Sequence, residues 1–232
     1  HPHPVIFERM ILMKPYRVAI IGCGMICNSA HFPALKPLRE EGIVDVVGVA
    51  DIRESAAAET AKRHSVPNWY TDPQKMLDEL KPDFVAVCTP NMYHKEWTIK
   101  ALQAGAHVAC EKPIALTVAD AKEMWQTARD AGKMLFPCQC MRWRNYMQQS
   151  KELVASGELG DVYFSDIAFI RRIGIPTWGM FHMKEHNFGG PFCDLGVHLI
   201  DSLLWIVGDK KVKAVSGSAY TKIANQGEDI LL

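Results

Sequence analysis

Two hydrophobic rhythms alternate along the first half of the chain. Residues 17–21, 44–50, 84–88 and 106–110 are short apolar or β-branched runs, each bounded by Gly, Asp or Pro. Runs of that length and texture suit strands buried on both faces of a parallel sheet. Between them, apolar positions recur at helical spacing over residues 25–40, 54–64, 73–80 and 94–104. A further helix is expected over 118–131, opened by Thr117 as N-cap with Asp120 three residues on. The "AGK" of residues 131–133 closes it, since glycine accepts the left-handed backbone that ends a helix. Strand–helix alternation of this kind predicts a doubly wound α/β domain.

After Pro137 the pattern changes. Residues 142–156 read as a helix that stops at Ser156-Gly157. Residues 161–170 alternate polar and apolar, as a half-solvated antiparallel strand does. Residues 171–190 hold Gly174, Pro176, Gly179 and Gly189-Gly190 and read as irregular. Residues 193–207 are strongly apolar and helical up to Gly208, and 211–220 read as another strand. The expected layout is a Rossmann domain over 13–137 and a second, α+β domain over 138–232. Residues 1–12 read as a tag or loose extension ahead of "MKPYRVAIIG".

Composition narrows the function classes. The 232 residues are 48% hydrophobic, enough for a sizeable core. Lys plus Arg and Asp plus Glu number 26 each. That balance argues against nucleic-acid and membrane-surface partners, which select for basic excess. No apolar run approaches the roughly 20 residues of a membrane span. Seven scattered cysteines, several inside apolar runs, suit reduced thiols and a cytoplasmic home.

The first candidate site follows the first strand. Gly22-x-Gly24-x-x-Cys27 sits where a strand turns into a helix, the context a dinucleotide fingerprint requires. Gly22 allows the tight turn. Gly24 admits a pyrophosphate to the backbone at the helix start, where Met25 and Ile26 lie. Cys27 is bulkier than the usual Gly or Ala at the third position. Asp51 ends the second strand, where an acid accepts ribose hydroxyls and repels a 2′-phosphate. It favours NAD, while Arg53 two residues later keeps NADP possible.

The second candidate set joins two regions. Lys112, in Glu111-Lys112-Pro113, lies at the carboxyl end of a parallel strand, where ligands of such sheets bind. Asp194 and His198 stand four residues apart on a helix and therefore share a face. Spacing alone leaves two readings of that pair open. They are a catalytic couple, or a helix cap beside a satisfied core histidine.

Several stretches together resemble the Gfo/Idh/MocA family of oxidoreductases. They are the Gly22-Cys23-Gly24 turn, "CTPNMYH" (88–94), "ALQAGAHVACEKPIAL" (101–116), "KELVASGELGDV" (151–162) and "GGPFCDLGVHLID" (189–201). The resemblance implies a second domain with an open, mainly antiparallel sheet. It implies hydride transfer between NAD(P) and a hydroxyl carbon of a sugar or cyclic polyol. It also implies Lys112, Asp194 and His198 as the catalytic set. His198 would take the hydroxyl proton, Asp194 would orient it, and Lys112 would stabilise the developing oxyanion. Thr89, Pro90, Asn91, His94, Glu111 and Lys112 fall where cofactor contacts are expected, and Arg142 at the second-domain helix near cofactor and substrate. Trp178, Phe181 and His182 are candidates to line a sugar pocket.

Two other readings remain open on the sequence. His182 to His186 spell H-x-x-E-H, a zinc-hydrolase pattern, but the surrounding Pro and Gly predict a loop. The chain ends at "NQGEDILL", as if entering a strand, so the second sheet is expected to be incomplete. That allows a non-catalytic dinucleotide binder. It also allows a homo-oligomer whose subunits pair their exposed sheet edges.

Overall fold

The structure is a computed structural model that describes residues 14–170, 190–208 and 210–220. The chain falls into two compact units divided between Pro137 and Cys138. Trp178, Phe181, His182 and His186 lie outside the described residues.

The first unit is built on six parallel strands. They are β1 (Tyr16–Ile21), β2 (Val44–Ala50), β3 (Trp69–Tyr70), β4 (Phe84–Val87), β5 (His107–Cys110) and β6 (Leu135–Pro137), in the order β3-β2-β1-β4-β5-β6. Helices α1 (Phe32–Glu40), α2 (Glu54–His64), α3 (Pro73–Leu80), α4 (His94–Gln103) and α5 (Val118–Asp130) connect them. Val18, Ile20, Val46 and Val49 pack against Phe32 of α1 and Ala57 and Ala61 of α2. Ala19, Ile21, Val85 and Val87 pack against Met76 of α3, Leu102 of α4 and Met124 of α5. Alternate residues of β1 and β4 thus feed opposite cores, which is why these strands read as unbroken apolar runs. Strand order reverses between β1 and β4, and a crevice opens there at the strands' carboxyl ends.

Local chemistry sets the boundaries. Thr117 Oγ1 accepts the Asp120 N–H at 3.1 Å and donates to Asp120 Oδ2 at 2.7 Å, as the capping pattern requires. Asp72 caps α3 by accepting the Gln74 N–H. β3 and β6, only two and three residues long, are too short to show a period and escape pattern reading.

The second unit contains α6 (Asn145–Ala155), preceded by a 3₁₀ turn at Cys140–Trp143, and α7 (Val197–Val207), preceded by a π turn at Phe192–Gly196. The helix expected from 142 therefore starts three residues later, behind that turn. Arg142 joins the two segments, with Nε donating to Asp201 Oδ2 at 2.7 Å and Nη2 to Oδ1 at 2.6 Å. Lys151 Nζ donates to the Trp205 carbonyl at 2.7 Å.

The strands expected at 161–170 and 211–220 are not formed in the described residues. A strand exists only with a hydrogen-bonded neighbour, and residues 171–189 and 221–232, next to these stretches in the chain, lie outside the described residues. Tyr163 is 99% exposed, which a strand packed on a sheet's core face would not allow.

Candidate active site

The glycine turn is held by two backbone bonds. The Gly22 N–H donates to the Ala50 carbonyl at 2.7 Å, and the Cys88 N–H to the Ile21 carbonyl at 2.7 Å. Gly22 has φ +98°, and a Cβ there would stand 2.6 Å from the Cys88 backbone. Both facts demand glycine for the fold itself. Gly24 differs. Its φ is ordinary, and nothing lies within 4 Å of a Cβ built on it. Packing does not explain that glycine, whereas a pyrophosphate approaching the backbone does.

Asp51 braces the same turn. Its Oδ2 accepts the Cys23 N–H at 2.9 Å, and its Oδ1 accepts the Arg53 N–H at 2.9 Å and Nε at 3.2 Å. The Arg53 side chain is 65% exposed, on the rim of a groove of about 550 Å³ lined also by Gly24, Met25, Asn28 and Arg63. Cys27 is fully buried between helix and sheet, so a thiol fits the third fingerprint position.

The helix after the turn is not a plain α-helix. A π turn spans Cys27–His31, and the Phe32 N–H reaches back to the Cys27 carbonyl. Pro33 comes next and has no N–H for the ladder, so the π turn absorbs the break. Asn28 sits on this turn, with Nδ2 donating to the Cys23 and Gly24 carbonyls at 3.1 and 2.9 Å. His64 Nε2 lies 2.9 Å from Asn28 Oδ1, and its ring stacks on Phe32. Burial holds the His64 imidazole below its usual value, with Arg63 and Arg39 adding to it.

Lys112 follows β5 at the crevice and is half-buried. Glu111 extends the strand by one bond, its N–H donating to the Val87 carbonyl at 3.0 Å. Glu111 Oε1 lies 2.8 Å from His31 Nε2, and Oε2 accepts the Lys112 N–H at 3.3 Å. Burial alone would raise the Glu111 carboxyl. The hydrogen bond and charge of His31, with Lys112 next, outweigh it and hold the group below the ordinary carboxylate value.

Among the remaining expected cofactor residues, Pro90 is exposed and Asn91 buried. Thr89 Oγ1 is a buried hydroxyl with no hydrogen-bond partner among the described residues. His94 is fully buried, with Nδ1 2.8 Å from the Pro113 carbonyl oxygen and Nε2 2.9 Å from that of Thr89. Both ring nitrogens are turned onto backbone, so His94 supports the site from beneath and offers no ring nitrogen to a cofactor. Burial lowers its affinity for a second proton, and the two carbonyls and Glu111 oppose that.

In the second unit, Asp194 lies on the π turn and His198 on α7, both half-buried. The two are on one continuous helical stretch, as the spacing predicts, but the π turn separates them. The helix behind the glycine turn and the helix of His198 each open with a π turn, a deviation that recurs at functional sites, whereas α4, which His94 opens, follows a 3₁₀ turn. The Arg142 guanidinium holds Asp201 through Nε and Nη2.

His31 and Asn28 were not anticipated. The signal for them was Pro33 inside an otherwise helical pattern, which marks a local break in the ladder.

A glycine turn at the switch point, with an acid at the end of β2 and a lysine at the end of β5, defines a dinucleotide-binding oxidoreductase domain. Residues 16–138 match the family model described as "Oxidoreductase family, NAD-binding Rossmann fold", and residues 147–230 match the GFO/IDH/MocA C-terminal domain. The chain belongs to the Gfo/Idh/MocA oxidoreductase family. It is 40% identical to D-glucoside 3-dehydrogenase of Escherichia coli K12 over 92% of this chain and 60% of that protein. It is 28% identical to myo-inositol 2-dehydrogenase of Thermotoga maritima over 84% of this chain and 55% of that one. A crystal structure of an NAD-binding protein from Listeria innocua, 33% identical, superposes with a TM-score of 0.71 over 84% of this chain and 55% of its own. The chain thus spans little more than half the length of these relatives.

Proposed function

We propose that the protein transfers a hydride between NAD and a hydroxyl carbon of a sugar, with a D-glucoside as the first substrate to test. The observation that carries the reading is Gly24. It is a glycine with ordinary backbone and open space at its Cβ position, set at the switch point beside an acid-ended β2. The buried, unpartnered hydroxyl of Thr89 is a second polar group waiting for a ligand. The similarity to D-glucoside 3-dehydrogenase motivates the substrate class.

Bound NAD would supply the hydride acceptor. The chain supplies the rest. Gly22 and Gly24 shape the turn for the pyrophosphate, and Asp51 receives the adenosine ribose and disfavours a 2′-phosphate. Lys112 stabilises negative charge developing on the substrate oxygen. His198 accepts the hydroxyl proton, and Asp194 orients the imidazole. We also propose that the protein is cytoplasmic, in keeping with its seven free thiols, and self-associates through the second unit. Among the described residues no helix is long and apolar enough to cross a membrane.

The test is a calorimetric titration with NAD and NADP, followed by a screen of glucosides and cyclic polyols for formation of reduced nicotinamide. NAD binding tighter than NADP, and turnover of at least one ring hydroxyl substrate, are expected. Absence of dinucleotide binding would end the reading. NAD binding without turnover on any substrate would leave a dinucleotide-binding protein in its place.

A further inference from the structure

Lys112 is held through both of its chain neighbours, and each hold is an imidazole. On one side the Glu111 carboxylate meets His31 Nε2 at 2.8 Å. On the other the Pro113 carbonyl meets His94 Nδ1 at 2.8 Å. The two histidines come from different elements. His31 ends the π turn behind the glycine cradle, and His94 opens α4. His31 and Glu111 side chains are 15% and 13% exposed and His94 is fully buried, so water competes weakly for these bonds. His94 Nε2 lies 2.9 Å from the Thr89 carbonyl oxygen; a neutral ring donates to one of the two carbonyls, an imidazolium to both. The Lys112 backbone is thereby fixed from both directions.

We propose that His31 and His94 are positioning residues that set the placement of the Lys112 ammonium against the reacting oxygen. The proposal rests on the reading of Lys112 as the oxyanion-stabilising group. A lysine on a loose loop would meet that oxygen in only a fraction of bound complexes. A misplacement of about 1 Å costs a reaction roughly 10²-fold. His31 also connects the loop to the helix that begins at the phosphate cradle, so one side chain links the cofactor end of the site to its chemical end.

The atoms used make the test sharp. The amide nitrogen of Gln stands near the place of a histidine Nε2, and that of Asn near Nδ1. His31→Gln therefore keeps a donor for Glu111, and His31→Asn does not. His94→Asn keeps the bond to Pro113, whereas His94→Gln keeps only the one to Thr89. The four variants are measured for NADH affinity by nicotinamide fluorescence and for kcat with NAD and methyl β-D-glucoside. Accessibility of Lys112 is measured in parallel, as its rate of reductive methylation read by peptide mass spectrometry.

Expected are kcat values for His31→Gln and His94→Asn within about threefold of the parent, and a loss of at least tenfold in His31→Asn and His94→Gln, with NADH affinity within about threefold throughout. Lys112 methylates at least about twofold faster in the two impaired variants, because a loosened loop opens it to reagent. Equal methylation rates in all four variants overturn the proposal, as does a kcat loss shared alike by the Asn and Gln forms. Failure of the parent protein to turn over any glucoside or polyol defeats the dehydrogenase reading instead, and the methylation contrast then decides the positioning claim by itself.

Discussion

The Asp51 carboxylate accepts the backbone N–H of Cys23 at 2.9 Å, so the last residue of β2 braces the glycine turn that follows β1. One side chain thereby has two duties. It fixes the cradle, and it sets the charge next to the ribose site. Asp51→Asn keeps an acceptor but removes the charge. NAD affinity is expected to fall about tenfold, in line with ~1.5–3 kcal/mol for a bond to a charged group. The NAD:NADP affinity ratio is expected to narrow, because repulsion of a 2′-phosphate is gone. Calorimetry with both dinucleotides reads the two effects separately, and an unchanged ratio would remove Asp51 from cofactor choice.

Gly22 and Gly24 are predicted to fail in opposite ways. Gly22→Ala imposes a positive φ on a side chain and drives its Cβ into the Cys88 backbone, costing about 3 kcal/mol or more of stability. Gly24→Ala meets neither problem, so its denaturation midpoint is expected to stay near that of the parent. NAD affinity should still drop at least about tenfold as the methyl fills the approach to the turn. Urea melts paired with NADH titrations of both variants check this. Undiminished NADH binding by Gly24→Ala would mean that no phosphate approaches there.

Acid should act through Glu111. Its carboxyl is held below the ordinary value in the folded protein, so its ionised form favours the fold above that value. That contribution disappears as pH falls through the lower, folded value, from about pH 5 downward. Glu111→Gln should be less stable than the parent near neutrality, and the difference should shrink steadily on acidification. Urea midpoints of both proteins across that window give the answer. A gap between them that widens toward acid would contradict the sign.

Thiol reactivity should sort by position. Burial pushes the Cys110 thiol up to about 12, and the bond that the Cys27 thiol donates to Cys23, together with burial, raises that of Cys27 as well. Cys140 is exposed. Iodoacetamide at neutral pH is therefore expected to label Cys140 first, leaving Cys23, Cys27, Cys88 and Cys110 intact until the protein unfolds, because the thiolate is the nucleophile. Peptide mass spectrometry over time reads the order. Labelling of Cys110 at the rate of Cys140 would show the end of β5 opening in the native protein.

Much of the first unit was legible because its residues carry single-purpose signals. The buried strands are unbroken apolar runs, and α2 and α3 span the residues their periodicity marks. Thr117 and Asp120 announce α5 through a local bond that needs no tertiary context. β3 and β6 were illegible because two or three residues cannot show a period, and pairing alone makes them strands. Among the candidate residues, Asp51 and Lys112 could be placed from the sequence because they follow the ends of apolar runs, and Gly22 and Gly24 because they follow β1 in a glycine pattern. His31 was not, since its partner Glu111 is 80 residues away and the π turn that aims it has no composition of its own. His94 was readable as a site residue but not as a buried one. Only the structure reveals that both its nitrogens face backbone carbonyls. The alternation at 161–170 has the rhythm of a strand, but the neighbour a strand needs is set by tertiary pairing that no local period records.

The central claim is that Lys112 stabilises the reacting oxygen next to a bound nicotinamide. The most direct measurement is reduced-nicotinamide formation from NAD and methyl β-D-glucoside by the parent protein and by Lys112→Met at matched cofactor saturation. The account predicts turnover by the parent and a loss in the variant of roughly 10²–10³-fold, the scale for removing one charge-stabilising group, with NADH affinity nearly retained. A variant that turns over at the parent's rate would contradict it.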